Sequence, residues 1–238
     1  MKKTLIIWCG DSWPYGSELL DRKKDCFPKV CGNLLGVDII NLSIPGSSIQ
    51  HLNFKLKQIL RIKNKFINHN IIVLFGLTVP SRLCIEPDIG KKITVSPNLF
   101  DLCAYKIWAK DVFSNRHIQT QTIISLIFLA DQCKKNNISF KFFNILCNFR
   151  DFDNSWFFQF LNTSDWLISP EWSAYSELFD INNFDFTKMG MLEKTSRGKL
   201  VVETYIKPSI THPNIAGHQK IAQKMIPYIT QLLGEYSQ

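Results

Sequence analysis

No apolar run in this sequence approaches the ~20 residues needed to span a bilayer. The longest, Ile71 to Leu77 and Ile123 to Ala130, have the length of a buried strand or a helix core. A signal peptide is not expected either. Met1 to Cys9 opens with two lysines, but its apolar part is short and Gly10-Asp11-Ser12 stands where cleavage would fall, so it reads as a first strand. There are no CxxC pairs and no His/Cys cluster at metal-ligand spacing, so neither a structural zinc nor any other metal is expected. The seven cysteines are odd in number, and several (Cys9, Cys84, Cys133, Cys147) sit in apolar stretches where a free thiol acts as a small hydrophobe. A reducing setting, cytoplasmic or virion-associated, follows as the expectation. Internal repeats, low-complexity tracts and a convincing linker are missing too, so residues 1–238 read as one domain.

What is present is globular: 45% apolar and 20% charged residues, with a formal net charge of +8. That charge alone does not predict nucleic-acid binding. Lys55, Lys57, Arg61, Lys63 and Lys65 fall on one predicted helix whose other face carries Leu52, Leu56, Ile59, Leu60 and Phe66, the pattern of an amphipathic helix with a solvated basic side. Three Asn-x-Ser/Thr sequons (Asn41, Asn137, Asn162) read as chance without an export signal.

Strands and helices alternate, which predicts a three-layer α/β/α sandwich with a mainly parallel sheet. Expected strands are Thr4–Cys9, Val37–Leu42, Ile71–Leu77 and Ile138–Leu146, in the doubly wound order 2-1-3-4, with a fifth near 200–206. Expected helices cover about 28–36, 48–67, 118–135 and 214–233, and residues 79–98, rich in Pro and Gly, read as a loop. Residues 149–206 form an insertion whose first part, to Phe186, is crowded with aromatics, including Trp156, Trp166 and Trp172. It suits extra core, a wall for an acyl chain, a sugar-stacking platform or a subunit interface.

Four polar elements recur at the ends of this pattern. Gly10-Asp11-Ser12 follows the first strand, Asn41 to Ser48 with Pro45-Gly46 follows the second, Gly76-Leu77-Thr78 closes the third, and Thr211-His212-Pro213-Asn214 with Gly217-His218 opens the last helix. In an open parallel sheet, ligands bind beyond the carboxyl ends of the strands, so these elements converge on one edge. As an ordered set they resemble the SGNH (GDSL-like) hydrolase family over nearly the whole chain apart from 149–206.

The resemblance implies a serine hydrolase that cleaves an ester of an acylated carbohydrate or lipid and needs no cofactor. Ser12 is then the nucleophile and His212 its base, with a Ser12 Oγ to His212 ring-nitrogen distance within about 4 Å. The oxyanion hole would draw on the N–H groups of Ser12 and Gly46 and on Thr78. This chain departs from the family at two places: asparagine is replaced by Thr78, and the aspartate three residues before the histidine by Ser209. Ser209, or a carboxylate such as Asp185 or Glu203, is left to orient His212, while Asp11 is expected to point away from Ser12. Slow turnover is the expected consequence, because both missing groups stabilise charge that appears only in the transition state.

The alternative is a weak or inactive binding or structural module of the same fold, part of an oligomer, a viral particle or another large assembly. A flavodoxin-like nucleotide binder is a third reading, opposed by the lack of a GxGxxG or GxxxxGK[ST] loop after any strand.

Overall fold

The computed structural model describes residues 2–17, 19–78, 83–85, 93–95, 115–146, 166–168, 172–178 and 212–235. Its centre is a parallel four-stranded sheet. Strand β1 is Lys3–Cys9, β2 Asp38–Asn41 and β3 His69–Leu77; short strands β4 (Leu83–Ile85) and β5 (Ile93–Val95) follow, and β6 is Ser139–Asn144. The sheet order is β2-β1-β3-β6, every pair parallel, which is the expected doubly wound order.

The β3 run shows why the sheet must be covered twice. Ile71, Val73, Phe75 and Leu77 join the core on one face, while Ile72 and Leu74 join the core on the other. Side chains alternate along a strand, so a run without polar breaks is stable only with helices on both sides. Helices α4 (Ile49–Lys65) and α5 (Asn115–Lys135) cover the first face, and α3 (Phe27–Leu35) and α7 (Ile215–Glu235) the second. The second core centres on Trp8, Phe27 and Phe143, whose rings meet edge-on at centroid distances of 5.3 to 6.3 Å.

Local chemistry sets the helix ends. Pro28 lies in the first turn of α3, and Gly36 ends it in the left-handed conformation. Ser48 caps α4, its hydroxyl accepting from the His51 N–H while the His51 ring accepts from the Ser48 N–H. Three further elements escaped the sequence pattern because each is a single turn: α1 (Ser12–Tyr15), α2 (Arg22–Asp25) and α6 (Ala174–Leu178).

Three expectations are corrected. The stretch 79–98 is not only loop, since β4 and β5 pair antiparallel within it. Lys55 does not lie on a solvated face: it is buried, close enough to Cys9 for its charge to oppose the rise in that thiol's pKa. Lys63 is half-buried, its ammonium donating to the Asn136 and Asn137 carbonyls at the end of α5. Periodicity assigns faces, but long lysines at a boundary follow the acceptors and apolar surface within reach.

The strand expected at 200–206 lies outside the described residues, as does most of the insertion 149–206. Beside β6 the described residues show isolated parallel bridges from Leu167 and Ser173. Among the described residues, no helix is long and apolar enough to cross a membrane, and no group of three or more His, Cys, Asp or Glu could hold a metal ion.

Candidate active site

The chain leaves β1 through a sharp elbow. Ser12 is the first residue of α1, one turn capped by Asp11 and closed by Gly16 in the left-handed conformation. The opening residues of a helix have no intrahelical acceptor for their N–H groups, and the Ser12 N–H is one of these. Close approach explains Gly10: a Cβ there would sit 2.6 Å from Cγ of Pro14, inside the turn that carries Ser12. Ser12 itself is buried at the carboxyl edge of the sheet.

The second element is tied to the first by backbone. The Ile44 N–H donates to the Gly10 carbonyl at 3.0 Å, and the Ser47 N–H closes a turn onto the Ile44 carbonyl at 3.1 Å. Pro45 and Gly46 occupy the two central positions, Gly46 with φ +71°, the residue pattern of a type II turn. Asn41 braces this region from below. Its amide donates to the Pro14 carbonyl at 2.6 Å and its side-chain oxygen accepts from the Ser43 N–H at 3.1 Å.

Asp11 joins the first element to the third. One carboxylate oxygen accepts from the Trp13 N–H at 3.0 Å and the other from the Thr78 hydroxyl at 2.8 Å; both side chains are buried. The Thr78 proton is therefore directed at Asp11. Nothing in sequence linked residues 67 positions apart.

His212 stands just before α7, whose first turn is capped by Asn214 accepting from the Gly217 N–H at 2.9 Å. Helix α7 packs on α3, and His212 is near enough to His218 for its charge to push the His218 pKa down. The structure thus brings the Ser12, Gly46 and Thr78 elements to one sheet edge and places His212 three residues before α7, near His218. Ser209, Asp185 and Glu203 lie outside the described residues. Two clefts of about 440 and 360 Å³ open elsewhere, beside β2 and at the amino ends of β1 and β3, and none of Ser12, Gly46, Thr78 and His212 lines either.

No family model matches the sequence, and no curated protein matches it significantly. Solved structures do match it in shape. The psychrotrophic esterase EstA from Pseudoalteromonas sp., solved inhibited by monoethylphosphonate, is 13% identical with a TM-score of 0.51, over 98% of this chain and 100% of that one. A lipolytic protein of the G-D-S-L family from Desulfitobacterium hafniense is 12% identical with a TM-score of 0.54, over 95% and 99%. An acetyl xylan esterase, AlAXEase, is 13% identical with a TM-score of 0.51, over 94% and 99%. At such identities the likeness concerns the backbone: the chain has a divergent SGNH-hydrolase fold.

Proposed function

We propose that this protein is an SGNH-type serine hydrolase cleaving an ester, with Ser12 as nucleophile and His212 as base. One observation carries the reading. The buried Ser12 opens a capped turn at the carboxyl end of β1, and hydrogen bonds tie that turn to the Gly46 and Thr78 elements.

His212 takes the Ser12 hydroxyl proton as Oγ attacks the ester carbonyl carbon. The carbonyl π pair moves to oxygen, which accepts from the Ser12 and Gly46 N–H groups. Collapse breaks the C–O bond to the alcohol, and the His212 imidazolium returns the proton to the leaving oxygen. Water, activated by the same imidazole, then releases the acid and restores Ser12. The Thr78 hydroxyl contributes indirectly, by holding Asp11 and with it the start of α1. The substrate class is an acylated carbohydrate or lipid, supported by the solved structures of an acetyl xylan esterase and a lipolytic protein of this fold.

The test is turnover of p-nitrophenyl acetate and butyrate at pH 6–9 by wild type and Ser12→Ala, with fluorophosphonate labelling mapped by mass spectrometry. Slow turnover that Ser12→Ala abolishes, with the label on Ser12, is expected. Equal rates in the two proteins and no label would overturn the reading and leave a binding module of the same fold.

A further inference from the structure

The last helix carries a second histidine that the mechanism above does not use. His218 is completely buried on the first turn of α7. Its Nδ1 accepts the backbone N–H of Phe27 at 3.2 Å, across 191 residues of sequence. Its ring stacks on the Phe27 ring, with centroids 5.7 Å apart and planes inclined by 27°. The Phe27 N–H is the first of the opening N–H groups of α3, which have no intrahelical acceptor, and it is satisfied from another helix.

An acceptor Nδ1 carries no proton, so the ring proton of neutral His218 is on Nε2. That atom is buried and has no hydrogen-bond partner among the described residues. Phenylalanine in the same seam would carry no polar ring atom to leave unmet. Burial, reinforced by the His212 charge, pushes the His218 pKa down to about 3, so it stays neutral wherever an ester hydrolase works.

We propose that His218 is a positioning residue for His212, inferred from its juxtaposition with the opening N–H and ring of α3 on the same helical turn that follows the base. The inference rests on the hydrolase reading and deepens it. A continuous set of contacts supports it. Asn41 joins the Pro14 carbonyl of the Ser12 turn to the Cys26 sulfur at the start of α3. Phe27 joins the start of α3 to His218. Residues 214 to 218 join His218 back to the chain just after His212, through the Asn214 carbonyl. The nucleophile turn and the base are thereby referred to the same helix end. Because His218 is neutral, it also leaves His212 free to become an imidazolium without a second cation beside it.

Two substitutions test this. Asparagine places Oδ1 where Nδ1 stands and keeps the acceptor, whereas phenylalanine keeps an aromatic ring and removes the acceptor. Hydrogen exchange of the Phe27 amide should be protected in wild type and His218→Asn and fast in His218→Phe. With both variants folded by circular dichroism, His218→Phe should lower kcat and the Ser12 phosphonylation rate by about 10- to 100-fold, with KM little changed. His218→Asn should recover most of that loss. A His218→Phe variant as fast as wild type, despite an unprotected Phe27 amide, would overturn the positioning role. So would equal losses in both variants that track their melting temperatures. A wild type that neither turns over nor labels, with Phe27 protected, would instead overturn the hydrolase reading beneath it.

Discussion

Asp11 uses both carboxylate oxygens, one to start a helix and one to hold the end of a strand 67 residues away. That double use separates two accounts of Thr78. If its hydroxyl serves Asp11 and not the oxyanion, Thr78→Val should cost about 1–3 kcal/mol in urea denaturation. Its kcat should then fall by less than the ~10²–10³ expected for a lost oxyanion donor. A drop of that full size with unchanged stability would return Thr78 to the oxyanion hole. His218 makes a second prediction at this scale. Its pKa is depressed in the folded protein to about 3 from an ordinary 6.5, so the unfolded chain binds the extra proton between those values. The associated stability is fully present above about pH 6.5 and is lost as pH falls towards 3, by roughly a kcal/mol per pH unit. His218→Asn should flatten the dependence measured by urea denaturation at pH 7, 5.5 and 4.5.

Elements were legible where burial is one-sided or complete. The amphipathic pattern of α4 and the unbroken run of β3 report their surroundings directly. The α1 turn is four residues long, too short to show a period, and β4 and β5 hide in a Pro- and Gly-rich stretch. Helix α7 offers an element-scale test. Pro227 lies inside it and is exposed, so it removes one backbone hydrogen bond without packing to offset the loss. Pro227→Ala should raise stability by about 1–3 kcal/mol in thermal denaturation, with the α7/α3 seam and any esterase activity unchanged. A lower melting temperature would show that a bend at Pro227 is needed to seat α7 on α3.

At the scale of the molecule, the two cores enclose Cys9, Cys31 and Cys133. Cys9, Cys26, Cys31 and Cys133 are all free and buried. Desolvation pushes Cys9, Cys31 and Cys133 up to about 12, which leaves almost no thiolate near neutral pH. Iodoacetamide at pH 8 should leave these four unmodified in the folded protein and alkylate them in urea; rapid labelling of any in native buffer would show that its side of the sheet opens. The sequon at Asn41 is closed for a similar reason, because its amide is already donated to Pro14.

By itself the sequence determined the alternation of strands and helices, the sheet order and the identity of the polar elements at the strand ends. Those features follow from local hydrophobic period and from chain order under a right-handed crossover. Only the tertiary structure decided how the elements are joined: Asp11 to Thr78, Asn41 to Pro14, His218 to Phe27, and Lys55 inward beside Cys9. The reason is physical. A hydrogen bond between residues 67 or 191 positions apart has no local signature, because either partner alone is an ordinary cap, turn or surface residue until the sheet brings them together.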